Sequence, residues 1–157
     1  MFLETEELKS VIYDYQLNEI TEADADIPVM AINAAIQEMK SYLNPGNQSL
    51  YRDGRKRYDV EAIFSATGTD RNALILELCK SISTYYICRI ANVDIIHEKV
   101  QKMYDRAIDW LEKVSATGKH AGKQPLNADL PVMAALDAED DSSLPFRFGS
   151  RDKFTHE

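Results

Sequence analysis

Cysteine, histidine and glycine are scarce in this chain, and a long apolar run is missing altogether. The two cysteines, Cys79 and Cys88, are too few for a disulfide framework. On one continuous helix they would stand roughly 13 Å apart, beyond the reach of a disulfide, so both are expected to be small buried hydrophobes in a reducing compartment. No stretch approaches the roughly 20 apolar residues needed to cross a bilayer. The start, MFLETEELK, has neither the basic nor the apolar region of a signal peptide, so the expectation is a protein made and kept in the cytoplasm, with no membrane partner. The three histidines, His97, His120 and His156, show no HExxH, no paired i,i+4 ligands and no cysteines at zinc spacing, and no metal or other cofactor is expected. GxGxxG, GxxxxGK[ST] and GxSxG are also missing, which removes the usual signals for phosphate cradles and hydrolase elbows. Asp105, Asp109 and Glu112 do share one helical face, but Arg106 and Lys113 lie close and Lys102 can pair with Asp105, so a solvated charged face is expected there rather than catalysis.

What the chain does have is helical periodicity and an uneven distribution of charge. The formal net charge is −8. Residues 1–44 carry nine acidic side chains against Lys9 and Lys40, a net −7, whereas residues 45–69 set Arg52, Arg55, Lys56 and Arg57 against three acids, a net +1. An acidic chain of this kind is a poor candidate for a dedicated nucleic-acid binder. At 157 residues with 45% hydrophobic composition, one domain with a single core is the default.

Four segments predict helices. Thr5 can cap a short first one, with Leu8, Val11, Ile12 and Tyr15 on one face. Asp26 and Pro28 open a second, in which Val29, Ile32, Ile36, Met39 and Leu43 recur until Asn44-Pro45-Gly46 stops it. Asp70 can cap a third reaching to about Ile90, whose apolar residues cover more than one face, the mark of the central helix. Asp94 can cap a fourth, with the stripe Val100, Met103, Tyr104, Ala107, Trp110, Leu111 and Val114 and a stop at Gly118. Trp110, supported by Tyr104 and Leu111, is the expected core anchor. The fold class is therefore all-α, a small bundle of four to five helices spanning 1–118. A long loop at 44–69 interrupts it, and an extended C-terminal arm at 119–157 follows. Phe146, Phe148 and Phe154 give that arm apolar anchors, and Arg147, Arg151 and Lys153 between them can pair with acidic groups on a partner.

The fourth helix and its exit, YDRAIDWLEKVSATGK at 104–119, resemble the signature segment of the Mu-like phage family of small helical head–tail connectors, with its "RY…A…WL…GK" pattern; Met103 stands where that pattern has arginine. YDVEAIFSATGTDRN at 58–72 and the closing FGSRDK are similar to the version found in prophages of Bacteroidetes. The resemblance implies a non-enzymatic structural subunit of a ring, usually twelvefold, at the head–tail junction of a virion assembled in the host bacterial cytoplasm. It implies a portal protein gripped by the arm, a tail or stopper protein on the opposite face, and DNA passing through the lumen without specific binding. Arg52, Arg55, Lys56 and Arg57 would then meet the acidic N-terminal third of a neighbouring subunit, face lumenal DNA, or stay solvated. Two other classes remain open on the residues alone. One is a helical protein-binding or regulatory module whose C-terminal segment is the partner-binding peptide, and the other is a small helical enzyme acting on a nucleotide or nucleic acid through the Arg52–Arg57 cluster and the Asp105/Asp109 pair.

Overall fold

The computed structural model describes residues 1–44, 56–91 and 98–133. Five α-helices appear among them: α1 (Asp14–Ile20), α2 (Asp26–Leu43), α3 (Val60–Ser65), α4 (Ala73–Ile90) and α5 (Glu98–Ser115). Short 3₁₀ helices stand at Thr5–Ser10, Gly68–Asp70 and Gly118–His120. The protein is all-α, as its periodicity predicts. No helix among the described residues is long and apolar enough to cross a membrane.

The body is a three-helix bundle of α2, α4 and α5. From α2, Ala31, Ile32, Ala35, Met39 and Leu43 point into it; Ile75, Cys79, Ile82 and Ile87 come from α4, and Ala107, Leu111 and Val114 from α5. Burial on several faces makes α4 the central helix. It therefore also buries Ser81, Ser83 and Thr84, and each of these hydroxyls donates to the carbonyl four residues back (Glu77, Cys79 and Lys80, at 3.1, 2.8 and 2.9 Å), so no desolvated donor is left over. Cys79 and Cys88 are free and buried, and burial pushes the Cys79 thiol up to about 12.

Several boundaries differ from the expected ones, each for a local reason. The first predicted helix divides into the 3₁₀ turn Thr5–Ser10 and α1. Glu4 rather than Thr5 is the N-cap, its amide donating to Glu7 Oε2 at 2.9 Å. Leu8 and Ile12 are buried as expected, but Tyr15 is exposed and Leu17 takes the inward position. Asn72, not Asp70, caps α4: its Oδ1 accepts from the amides of Leu74 and Ile75, while Asp70 is used up in the preceding 3₁₀ turn. α5 stops at Ala116 (φ +50°), two residues before the predicted glycine, with the Thr117 amide donating to the Glu112 carbonyl at 3.0 Å. The Asp94 cap lies outside the described residues.

Residues 56–59 of the expected loop and 119–133 of the expected arm pack against the bundle. Asp59 caps α3 through the Ala62 amide, and α3 buries Ile63 and Phe64, the latter edge-on to Phe2 with ring centroids 5.1 Å apart. After His120 the chain runs back across the bundle. The Leu126 amide donates to the Lys113 carbonyl, and the segment then pairs with residues 57–59: the Asp59 amide donates to Pro131 and the Met133 amide to Arg57, at 2.9 and 2.8 Å, around an antiparallel bridge between Tyr58 and Val132. Ala128, Leu130 and Tyr58 are buried in this seam. The packed body thus continues past Gly118 to Met133.

One ion pair ties the N-terminus to the start of α4. Arg71 donates to both Glu7 carboxylate oxygens at 2.7 and 2.8 Å, to the Phe2 carbonyl at 2.8 Å and to the Gly68 carbonyl at 3.0 Å. The Arg71 guanidinium holds the Glu7 carboxyl at about 2, well below its usual 4.5, against the opposing effect of partial burial. A lowered carboxyl stabilises the fold fully above pH 4.5. That contribution is lost as pH falls towards 2, because the unfolded chain takes up the proton first. With Glu7 partly exposed to screening water, it is worth roughly 1–3 kcal/mol. Glu7→Gln should be less stable than the parent by that amount at neutral pH in urea denaturation, with the gap closing between pH 4.5 and 2. A gap that stays constant over this range would show that the pair does not act through its charge.

Candidate functional site

The seam between residues 57–59 and 128–133 brings together the two segments that the sequence marks for partners. Lys56 and Arg57 are exposed at one end of it, and Met133, where the last described stretch ends, is hydrogen-bonded to Arg57. Arg52 and Arg55 lie just upstream and outside the described residues, as do Phe146, Arg147, Phe148, Arg151, Lys153 and Phe154 of the arm. Buried Tyr58 forms the floor. A cleft of about 560 Å³ on one side of it is lined by Lys56, Lys123 and Leu126, and one of about 610 Å³ on the other by Lys40, Glu61 and Met133. Burial raises the Tyr58 phenol above its ordinary range. Leu126, Val132 and Met133 are roughly half exposed along the same edge. Cations and apolar side chains therefore share this rim.

The expected core anchors divide. Leu111 is fully buried, but Trp110 is only partly buried and packs on the margin of the core, so the central position on α5 belongs to Leu111 with Ala107 and Val114. Tyr104 is also partly buried and polar in its role. Its hydroxyl donates to Glu38 Oε1 at 2.9 Å, and its ring stacks on Tyr85 with centroids 4.1 Å apart. Burial and the Glu38 carboxylate together hold the Tyr104 phenol well above its usual range, and Tyr42 and Tyr86 are shifted the same way for the same reasons. Glu38 Oε2 is buried with no hydrogen-bond partner among the described residues. This polar layer joins α2, α4 and α5 and is not visible in the sequence, where the contributions of the three helices lie well apart, Glu38 and Tyr104 by 66 residues.

The acidic face of α5 is paired, though not as expected. Gln101 donates to Asp105 at 2.8 Å, and Lys102 bonds Glu98 instead. Asp109 receives Lys113 Nζ on Oδ2 at 2.6 Å and lies 2.9 Å from His120 Nε2 through Oδ1. Those two hydrogen bonds, His120's first, hold the Asp109 carboxyl at about 2. Glu112 accepts the Lys119 amide at 3.2 Å. Asp105 and Asp109 therefore have separate partners. Comparison with protein families, curated proteins and solved structures finds no match to this chain.

Proposed function

We propose that the chain is a structural assembly subunit, a rigid helical body that presents two gripping segments from one edge. More particularly, it acts as a subunit of a phage head–tail connector ring, docking beneath the portal protein and joining it to a tail or stopper protein around a channel for DNA. The observation that carries this reading is the Tyr58–Val132 seam. It fixes the start of the arm against the end of the basic stretch, so that a copy gripping the portal through Phe146, Phe148 and Phe154 also presents Lys56 and Arg57 in a defined place, with Arg52 and Arg55 just upstream in sequence. The resemblance of residues 104–119 and 58–72 to Mu-like connectors supports it independently. So does charge: a net −8 suits a lumen through which DNA moves without being held, because many phosphate-neutralising cations would bind it. In a head-to-tail ring the −7 N-terminal third of one copy can face the basic stretch of the next.

Electron microscopy of the full chain mixed with the portal protein of the same genome tests the reading. The expected result is a ring of added density coaxial with the portal, lost when Arg52, Arg55, Lys56 and Arg57 are all changed to Glu. Portals that gain no density would remove the connector function and favour a helical binding or regulatory module.

A further inference from the structure

The exit of α5 builds a corner that the sequence does not announce. Asp109 and Glu112 stand three residues apart on one face of the helix. The chain then turns through two left-handed residues, Ala116 at φ +50° and Gly118 at φ +51°, which bring the 3₁₀ helix Gly118–His120 back over that face. Glycine is favoured at 118 by its left-handed backbone, and the Glu112 carboxylate lies against it where a β-carbon would stand. The result is an imidazole and two carboxylates whose nearest donor atoms all lie within 4.8 Å of one another. None of the three is loose: His120 Nε2 rests against Asp109 Oδ1, Glu112 Oε2 accepts the Lys119 amide, and the His120 side chain is 18% exposed.

We propose that Asp109, Glu112 and His120 bind one divalent first-row transition ion, with zinc as its representative. One imidazole nitrogen with two carboxylate oxygens suits zinc and its neighbours better than calcium or magnesium, which favour all-oxygen shells. Bonds of roughly 2.0–2.1 Å to a tetrahedral ion set donors about 3.4 Å apart, so donors that lie within 4.8 Å of one another have to shift by no more than about 1.4 Å. His120 Nε2 coordinates in its deprotonated form, its proton passing to solvent, and water completes the shell. Asp109 coordinates through Oδ1 and keeps Lys113 on Oδ2, a hydrogen bond that orients the ligand while its positive charge opposes the ion. Bound metal pins the turn at residues 118–120 to α5, upstream of the seam that leads to the arm. The site is independent of the connector reading and stands or falls separately.

Isothermal titration of the chelator-dialysed full chain with zinc chloride, paired with the absorption spectrum of bound cobalt(II), tests this. Saturable uptake of one ion per chain is expected. His120→Gln keeps a donor for Asp109, and with it the turn, but loses the imidazole; it should weaken binding about tenfold or more, as should Glu112→Gln. With two variants, the test stays decisive if either one loses its helical circular dichroism. Lys113→Gln should tighten binding several-fold by removing the opposing charge, and Asp105→Asn, whose partner is Gln101, should leave it unchanged. Failure to saturate, or equal binding by the parent, His120→Gln and Glu112→Gln, overturns the site and assigns any zinc taken up to ligands elsewhere in the chain.

Discussion

Leu111→Ala should destabilise the fold by about 2–5 kcal/mol in urea denaturation, and Trp110→Ala by only about 2 kcal/mol, although tryptophan is the larger side chain. Leu111 sits where α5 meets both α2 and α4, is 0% exposed, and has buried Ala107 and Val114 one turn to either side. Truncating it empties a volume that two other helices would have to move to fill, and close-packed helices relax only partly. Trp110 is its neighbour in the chain, about 100° round the helix, with one side of its indole against the core and the other towards solvent. Removing it exposes apolar surface but leaves little enclosed void. A larger loss for Trp110→Ala than for Leu111→Ala would put the indole, and not the leucine, at the centre of the bundle.

The three long helices are legible in the sequence because each buries one or more faces over five turns, and a repeat of that length survives in the amino-acid pattern. Ile32, Ile36, Met39 and Leu43 on α2 are buried where the repeat places them, and the breadth of apolar residues on α4 marks it as central. α1 and α3, at seven and six residues, are too short to show a repeat. The seam is hidden for a different reason. Extended chain buries alternate residues, here Ala128 and Leu130, and two positions make no pattern, while their partner Tyr58 lies some seventy residues away. Helix ends differ from expectation where a neighbouring residue takes the role, as Asn72 does in place of Asp70 and Ala116 in place of Gly118.

Distance along the chain also hides the polar clusters. Glu7 and Arg71 are 64 residues apart and Glu38 and Tyr104 are 66, so nothing in local spacing pairs them. His120 comes within 2.9 Å of Asp109 only because a non-glycine residue, Ala116, takes up a left-handed conformation that sequence rules reserve for glycine. The sequence shows that the carboxylates on α5 share a face; it does not show that a histidine folds back onto them.

A chain ending at Met133 should keep the helical circular dichroism and cooperative unfolding of the full protein yet fail to join portal rings. One ending at Gly118 should in addition lose about 2–5 kcal/mol of stability, the value of burying Leu130, Ala128 and the Tyr58 ring, of two seam hydrogen bonds and of the bond from Leu126 to Lys113, less the cost of ordering the segment. The two end points separate what the seam does from what the arm does. Residues 119–133 carry Leu126, Ala128, Leu130 and the amides that bond Lys113 and Arg57, so their removal uncovers Tyr58 and the residues beside it and is read as a shift in denaturation midpoint. Residues 134–157 hold Phe146, Arg147, Phe148, Arg151, Lys153 and Phe154, the proposed portal grip, and their removal is read in pull-down and microscopy. Apolar anchors with flanking cations suit a grip made through a few strong contacts. If the chain ending at Met133 docks on portals as well as the full protein, attachment resides in the bundle or the basic stretch, and the arm has no part in it. If the chain ending at Gly118 is as stable as the one ending at Met133, the seam adds no net stability and cannot fix the arm in place for the portal.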